Sequence, residues 1–95
     1  MSIVILQTFK AAEGRYSELA DAIAAMLIDT AARRGAELVR AAGDPASGVV
    51  TIFQQWDSED NQRAYVAWRM KDPNLAAMVA LLREPPKIEQ LSQIF

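Results

Sequence analysis

The sequence predicts a single α+β domain in the order strand, helix, strand, strand, helix, strand. Three observations carry that prediction. Positions 3–9 and 49–56 are dense in β-branched and aliphatic residues, an apolar period close to 3.6 follows Gly14, and turn-forming residues crowd positions 43–48. At 95 residues the chain is long enough for one domain, 1–95, and too short for two.

Ile3 to Phe9 reads as a buried strand that turns polar at Gln7 and Thr8. After Gly14, Tyr16, Leu19, Ile23, Met26, Leu27 and Thr30 recur at helical spacing, with Glu18, Asp21, Asp29 and Arg33 largely opposite. Arg33 and Arg34 are expected to complement that helix's C-terminus, and Gly35 to stop it. Ala36 to Ala42 is a weaker strand. The turn Gly43-Asp44-Pro45-Ala46-Ser47-Gly48 joins it to a strong one, Val49 to Trp56, so the two are expected to form a hairpin. Asp57 or Ser58 is placed to cap the next helix, which carries Tyr65, Val66, Trp68 and Met70. Asp72-Pro73 reads as a fresh cap and first-turn pair for a short helix over Asn74 to Arg83. Pro85-Pro86 ends it, and Lys87 to Phe95 alternates as a last strand. This order matches a ferredoxin-like unit: one four-stranded antiparallel sheet with its helices on one face.

Composition narrows the chemistry. There is no cysteine and no histidine, so disulfides, Cys/His zinc sites, a Ser-His-Asp triad and a histidine-ligated haem are all excluded. The expectation is no metal and no cofactor, there being no GxGxxG or other phosphate-cradling loop. Net charge is −2 with no basic block, so neither nucleic acid nor membrane is an expected partner. The opening MSIVILQTFKAAEGR has no basic n-region, and its apolar run is far too short to span a bilayer. The cytoplasm is the default location.

Side-chain parity predicts self-association. Alternate strand residues face opposite ways, so Ile3, Ile5, Val50 and Ile52 oppose Val4, Leu6, Val49 and Phe53. Both faces are apolar, and the helices of one subunit cover only one. A second copy is the simplest cover for the other, which makes a homodimer the expected state.

Several segments resemble the antibiotic-biosynthesis-monooxygenase family of dimeric α/β barrels. They are Ala11-Ala12-Glu13-Gly14 after the first strand, the Gly43-Asp44-Pro45 hairpin, and Gln55-Trp56-Asp57-Ser58-Glu59 closing the third strand. Ala64-Tyr65-Val66-Ala67-Trp68, Asp72-Pro73 and Glu84-Pro85-Pro86-Lys87 complete the set, so the likeness covers nearly the whole chain. The resemblance implies two four-stranded sheets packed into a dimeric barrel, with a ligand pocket between sheet and helices in each subunit. Some members oxidise phenolic polyketides or quinols with molecular oxygen and no cofactor, others degrade haem, and relatives in the wider superfamily are isomerases or bind aromatic acids.

On that resemblance the candidate catalytic residues are Trp56, Tyr65 and Gln7. Trp56 matches a pocket-lining tryptophan at the end of the third strand. Tyr65 matches a tyrosine of the phenol-oxidising members, and Gln7 falls where haem-degrading members place an asparagine. Trp68, matching a tryptophan of some haem-degrading relatives, joins Gln54 and Ile52 as candidate substrate-binding residues. Tyr65 and Trp68 are three apart on a helix and are expected to line one wall. Each also has a purely structural reading: Trp56 as core, Tyr65 and Trp68 as a packing pair, Gln7 as a strand end meeting solvent. Two departures stand out. Ile52 replaces an asparagine of some phenol oxidases, and Tyr65 occupies the place of a histidine found on this helix in many members. The expected function is cofactor-independent oxygenation of a phenolic, quinol or polycyclic aromatic molecule. The alternatives are a non-catalytic dimer that binds an aromatic ligand, and an isomerase or lyase.

Overall fold

Every strand and helix foreseen in the sequence forms. In a computed structural model describing residues 1–95, the order is β1 (Ile3–Lys10), α1 (Tyr16–Ala31), β2 (Ala36–Asp44), β3 (Val49–Trp56), α2 (Glu59–Arg69), α3 (Pro73–Val79) and β4 (Lys87–Ser92). The strands make one antiparallel sheet in the order β2-β3-β1-β4. The two strongest apolar runs, β1 and β3, therefore take the centre, where burial rewards them most.

Register fixes the two faces. Ile3 pairs with Trp56, Ile5 with Gln54, Gln7 with Ile52 and Phe9 with Val50, and all eight share the helix-covered face. Trp56 and Leu19 are wholly buried there, and Ile5, Ile23, Val50 and Ile52 nearly so. On the opposite face Leu6, Phe53 and Leu38 stay half-buried in the single subunit, with Leu91 exposed beside them. A one-residue bulge at Glu37 separates Ala36, opposite Trp56, from Leu38, opposite Gln55. It switches parity within β2, so that Leu38 joins the bare face.

Helix capping follows the expected chemistry. Ser58, rather than Asp57, caps α2: its Oγ accepts from the Asn61 amide at 3.2 Å. Asp72 caps α3, accepting from the Asn74 amide at 2.9 Å, with Pro73 in the first turn.

Strand β2 runs to Asp44, two residues past Ala42 and into the foreseen turn, and other boundaries also differ from expectation. Helix α1 ends at Ala31, so Arg33 and Arg34 lie beyond its last turn, and a turn carries the chain to Gly35 at φ +90°. Helix α3 stops at Val79 rather than running to Arg83. The following residues pair with the end of β1 instead, through Ala12 N–H to Leu81 O at 2.8 Å and Arg83 N–H to Lys10 O at 2.9 Å. Strand β4 ends at Ser92 because β1 begins opposite it, and the last bond beyond is Gln93 N–H to Ser2 O at 3.1 Å.

Candidate functional site

The buried core forms two clusters, one around Phe9, Leu19, Ile23 and Ile52 and one around Ile3, Ile5, Trp56 and Tyr65. A cavity of about 330 Å³ takes its walls from both. The sheet supplies its floor through Gln7, Phe9, Ile52 and Gln54, and α1 contributes Ile23, Met26, Leu27 and Thr30. Helix α2 adds Tyr65, Val66 and Arg69, Met70 follows at its end, and Leu75, Met78 and Val79 come from α3. Pro86 and the half-exposed Ile88 complete the rim. Such a volume falls within the range of small-molecule sites, and the three methionines give it adaptable walls.

Five polar side chains interrupt the apolar lining, in two groups. The first is a chain across the sheet floor. Trp56 Nε1–H donates to Gln54 Oε1 at 3.0 Å, and Gln54 Nε2–H donates to Gln7 Oε1 at 3.3 Å. The second surrounds the Tyr65 hydroxyl, which shares a 2.8 Å hydrogen bond with Thr30 Oγ1 and accepts from Arg69 Nε at 3.1 Å. Arg69 also donates to Thr30 Oγ1 at 2.9 Å, to Met26 O at 2.8 Å and to Asp72 Oδ2 at 2.7 Å.

Arg69 is only 4% exposed, yet it is well satisfied: four of its five N–H donors have these partners. Burial works to lower its pKa, but the hydrogen bonds to Tyr65 and Asp72 outweigh it and hold the guanidinium above its ordinary value. Asp72 is held below the usual carboxylate range by the Asn74 amide and then by Arg69. A permanent cation thus stands behind the Tyr65 hydroxyl at the cavity wall, balanced by one carboxylate.

The sequence candidates divide accordingly. Gln7, Gln54, Ile52 and Tyr65 come together on the cavity. Trp56 does not line it. The indole is wholly buried behind the wall, stacked at 5.0 Å between ring centroids on Tyr65 and bonded to Gln54. Trp68 also stays off the wall: its ring keeps company with Tyr65, 6.2 Å between centroids, as the packing-pair reading has it, but only Tyr65 reaches the cavity. Trp68 is 36% exposed and lies between the Arg33 and Arg69 guanidinium groups, 4.4 and 4.6 Å from its ring. Thr30 and Arg69 were not foreseen as site residues. The i, i+4 spacing of Tyr65 and Arg69 on α2, with Asp72 three residues further on, was the available signal.

No group of three or more Asp, Glu, His or Cys side chains could hold a metal ion. No helix is long and apolar enough to cross a membrane.

No family model matches the chain, and no curated protein does. Solved structures do. A Caulobacter crescentus protein provisionally named an antibiotic biosynthesis monooxygenase superposes with a TM-score of 0.87 at 18% identity, over 99% of this chain and 91% of that one. An asparagine-to-alanine variant of SnoaB, a cofactor-independent oxygenase from Streptomyces nogalater, gives 0.85 at 15% identity, over 99% and 94%. The NE2512 protein of Nitrosomonas europaea, of unknown function, gives 0.81 at 23% identity, over 99% and 90%. At these identities the likeness shows the shared fold.

Proposed function

We propose that the cavity binds a planar phenolic or quinol-type molecule and that the protein oxidises it with molecular oxygen, without a cofactor. One observation carries this reading: a largely apolar cavity whose polar wall is a tyrosine hydroxyl backed by the buried Arg69 cation. Similarity of fold to an oxygenase is consistent with it but does not fix the reaction.

The chemistry needs little else. Dioxygen reacts slowly with neutral closed-shell molecules, whereas a phenolate or enolate can hand it one electron. A ligand oxygen set against Tyr65 lies near the fixed charge of Arg69, in walls that exclude water, so the anion is favoured there. Its carbon radical and the superoxide then combine, and return of the proton lost on ionisation gives a hydroperoxide. Loss of water from that hydroperoxide leaves the carbonyl. For anthrone the balance closes as anthrone plus O₂ giving anthraquinone plus H₂O.

Oxygen uptake with an anthrone and hydroquinone panel, with and without chelator, tests this reading. Uptake that persists in EDTA and falls in Tyr65→Phe supports it. Inactivity across the panel removes the oxygenase, and aromatic binding without uptake then favours the non-catalytic alternative.

The bare sheet face supports a second inference of the same kind, a two-fold dimer. Leu6, Leu38 and Phe53 are only half-buried there and Leu91 is exposed, and a second copy offers an identical apolar sheet.

A further inference from the structure

We infer that Trp56 and Gln54 are positioning residues that set the polarity of the cavity floor, so that the site takes its ligand through a hydrogen-bond-accepting oxygen placed against Gln7. This rests on the cavity being the ligand site and names what it selects: a carbonyl, quinone or oxyanion rather than a group able only to donate.

The reasoning starts from an indole, which can donate but cannot accept. Trp56 Nε1–H lies 3.0 Å from the Gln54 side-chain amide, so the atom facing it must be the Gln54 oxygen. That turns the Gln54 NH₂ toward Gln7, 3.3 Å away, and the atom it meets must be the Gln7 oxygen. Neither amide can flip without setting two donors or two acceptors face to face. The buried state of Trp56 and Gln54, 0% and 2% exposed, leaves no water to rescue a flipped pair. Register makes the contact possible, since Gln7 is paired with Ile52 and Ile5 with Gln54, which puts the two glutamines on one diagonal of one face. The remaining group is the Gln7 NH₂, which has no protein partner and belongs to a residue on the cavity wall. Trp56 thus acts on the ligand through two other side chains, although it does not line the cavity.

Gln54→Glu tests the relay, because its effect depends on pH. While protonated, the introduced carboxyl accepts from Trp56 and donates to Gln7, as the glutamine amide does. Once ionised it can only accept, which forces Gln7 to turn its NH₂ inward and show its oxygen to the cavity. Burial raises the pKa of such a carboxyl, so both states are accessible between about pH 5 and pH 9. The probes are 1,4-naphthoquinone and naphthalene, similar in shape and neither titrating in that range, with affinities read by calorimetry.

Wild-type protein should bind naphthoquinone roughly five- to tenfold more tightly than naphthalene at both pH values, the worth of about one neutral hydrogen bond. Gln54→Glu should keep that preference at the lower pH and lose or reverse it at the higher. Equal wild-type affinities, or a Gln54→Glu preference that ignores pH, overturn the relay while leaving the cavity as the site. Failure of wild type to bind either probe overturns the cavity reading and the relay with it. If Gln54→Glu does not fold, replacing Trp56 by benzothienylalanine, which keeps the ring shape and lacks the N–H, must shrink the preference; an unchanged preference is equally fatal.

Discussion

Tyr65 shows how a single helix position divides structural from chemical work. Residues four apart on a helix differ by about 40° around its axis and residues three apart by about 60°, in opposite senses. Tyr65 points into the core, so Arg69 follows it onto the buried side, while Trp68 falls at the boundary and meets solvent. The sequence draws attention to the aromatic pair, whose rings do lie 6.2 Å apart, but the hydrogen bonds join Tyr65 to Arg69. A buried arginine is hard to foresee, because its burial depends on partners from three elements: Met26 and Thr30 on α1, Tyr65 on α2 and Asp72 before α3. Gln54 and Ile52 were easier, since strand parity alone places them on the face of Trp56. Removing the hydroxyl in Tyr65→Phe should cost about 1–3 kcal/mol of stability, because Arg69 Nε loses its acceptor. It should also lower oxygen uptake roughly a hundredfold. Arg69→Met should cost more, because Met26 O and the Tyr65 and Thr30 hydroxyls lose their shared donor and Asp72 loses its cation. Denaturant midpoints for the two variants check the order, and a Tyr65→Phe protein as unstable as Arg69→Met contradicts it.

At the scale of elements, interiors were legible and ends were not. The apolar period of α1 and the continuous runs of β1 and β3 are local properties of the chain, and all three form where the pattern lies. The bulge at Glu37, the early end of α3 and the end of β4 depend on what lies opposite in space: Gln55 and Trp56, the Lys10–Ala12 segment, and the start of β1. The Asp72-Pro73 junction was legible as a cap but not as an anchor for Arg69, a second role set by the packing of α2. Both roles need the ionised carboxylate. Its pKa is depressed in the folded protein below the ordinary value of 3.8, by the Asn74 amide and Arg69. The stabilisation is therefore complete above that ordinary value and is lost as pH falls through the lower folded-state value. Urea midpoints should drop on acidification below about pH 4 in wild type. Asp72→Asn should be less stable at neutral pH and show a shallower acid decline. An equally steep decline in the variant would place the acid-sensitive group elsewhere.

At the scale of the whole molecule, one sheet face is finished and the other is not. Parity separated the faces from sequence, and the register assigns the helices to the side of Ile3, Ile5 and Trp56. Leu6 and Phe53 are already half-buried, so covering them gains only part of the roughly 1.5–3 kcal/mol that full burial of such a side chain is worth, and a covered face is favoured. Sedimentation should give a dimer at micromolar concentration, with Leu6→Lys and Phe53→Glu shifting it to folded monomer or aggregate. Ile5→Lys, which strikes the helix-covered core at 3% exposure, should instead unfold the protein. A wild-type monomer would remove the dimer and leave the cavity, which lies within one subunit, untouched. The oxygenase proposal meets its most direct test in isotope-labelled dioxygen. Purified protein and anthrone, supplied with ¹⁸O₂ in ordinary water and EDTA, should release anthraquinone carrying one labelled oxygen, with the second label recovered in water. Unlabelled product, or a rate no faster than anthrone alone in buffer, would contradict the account.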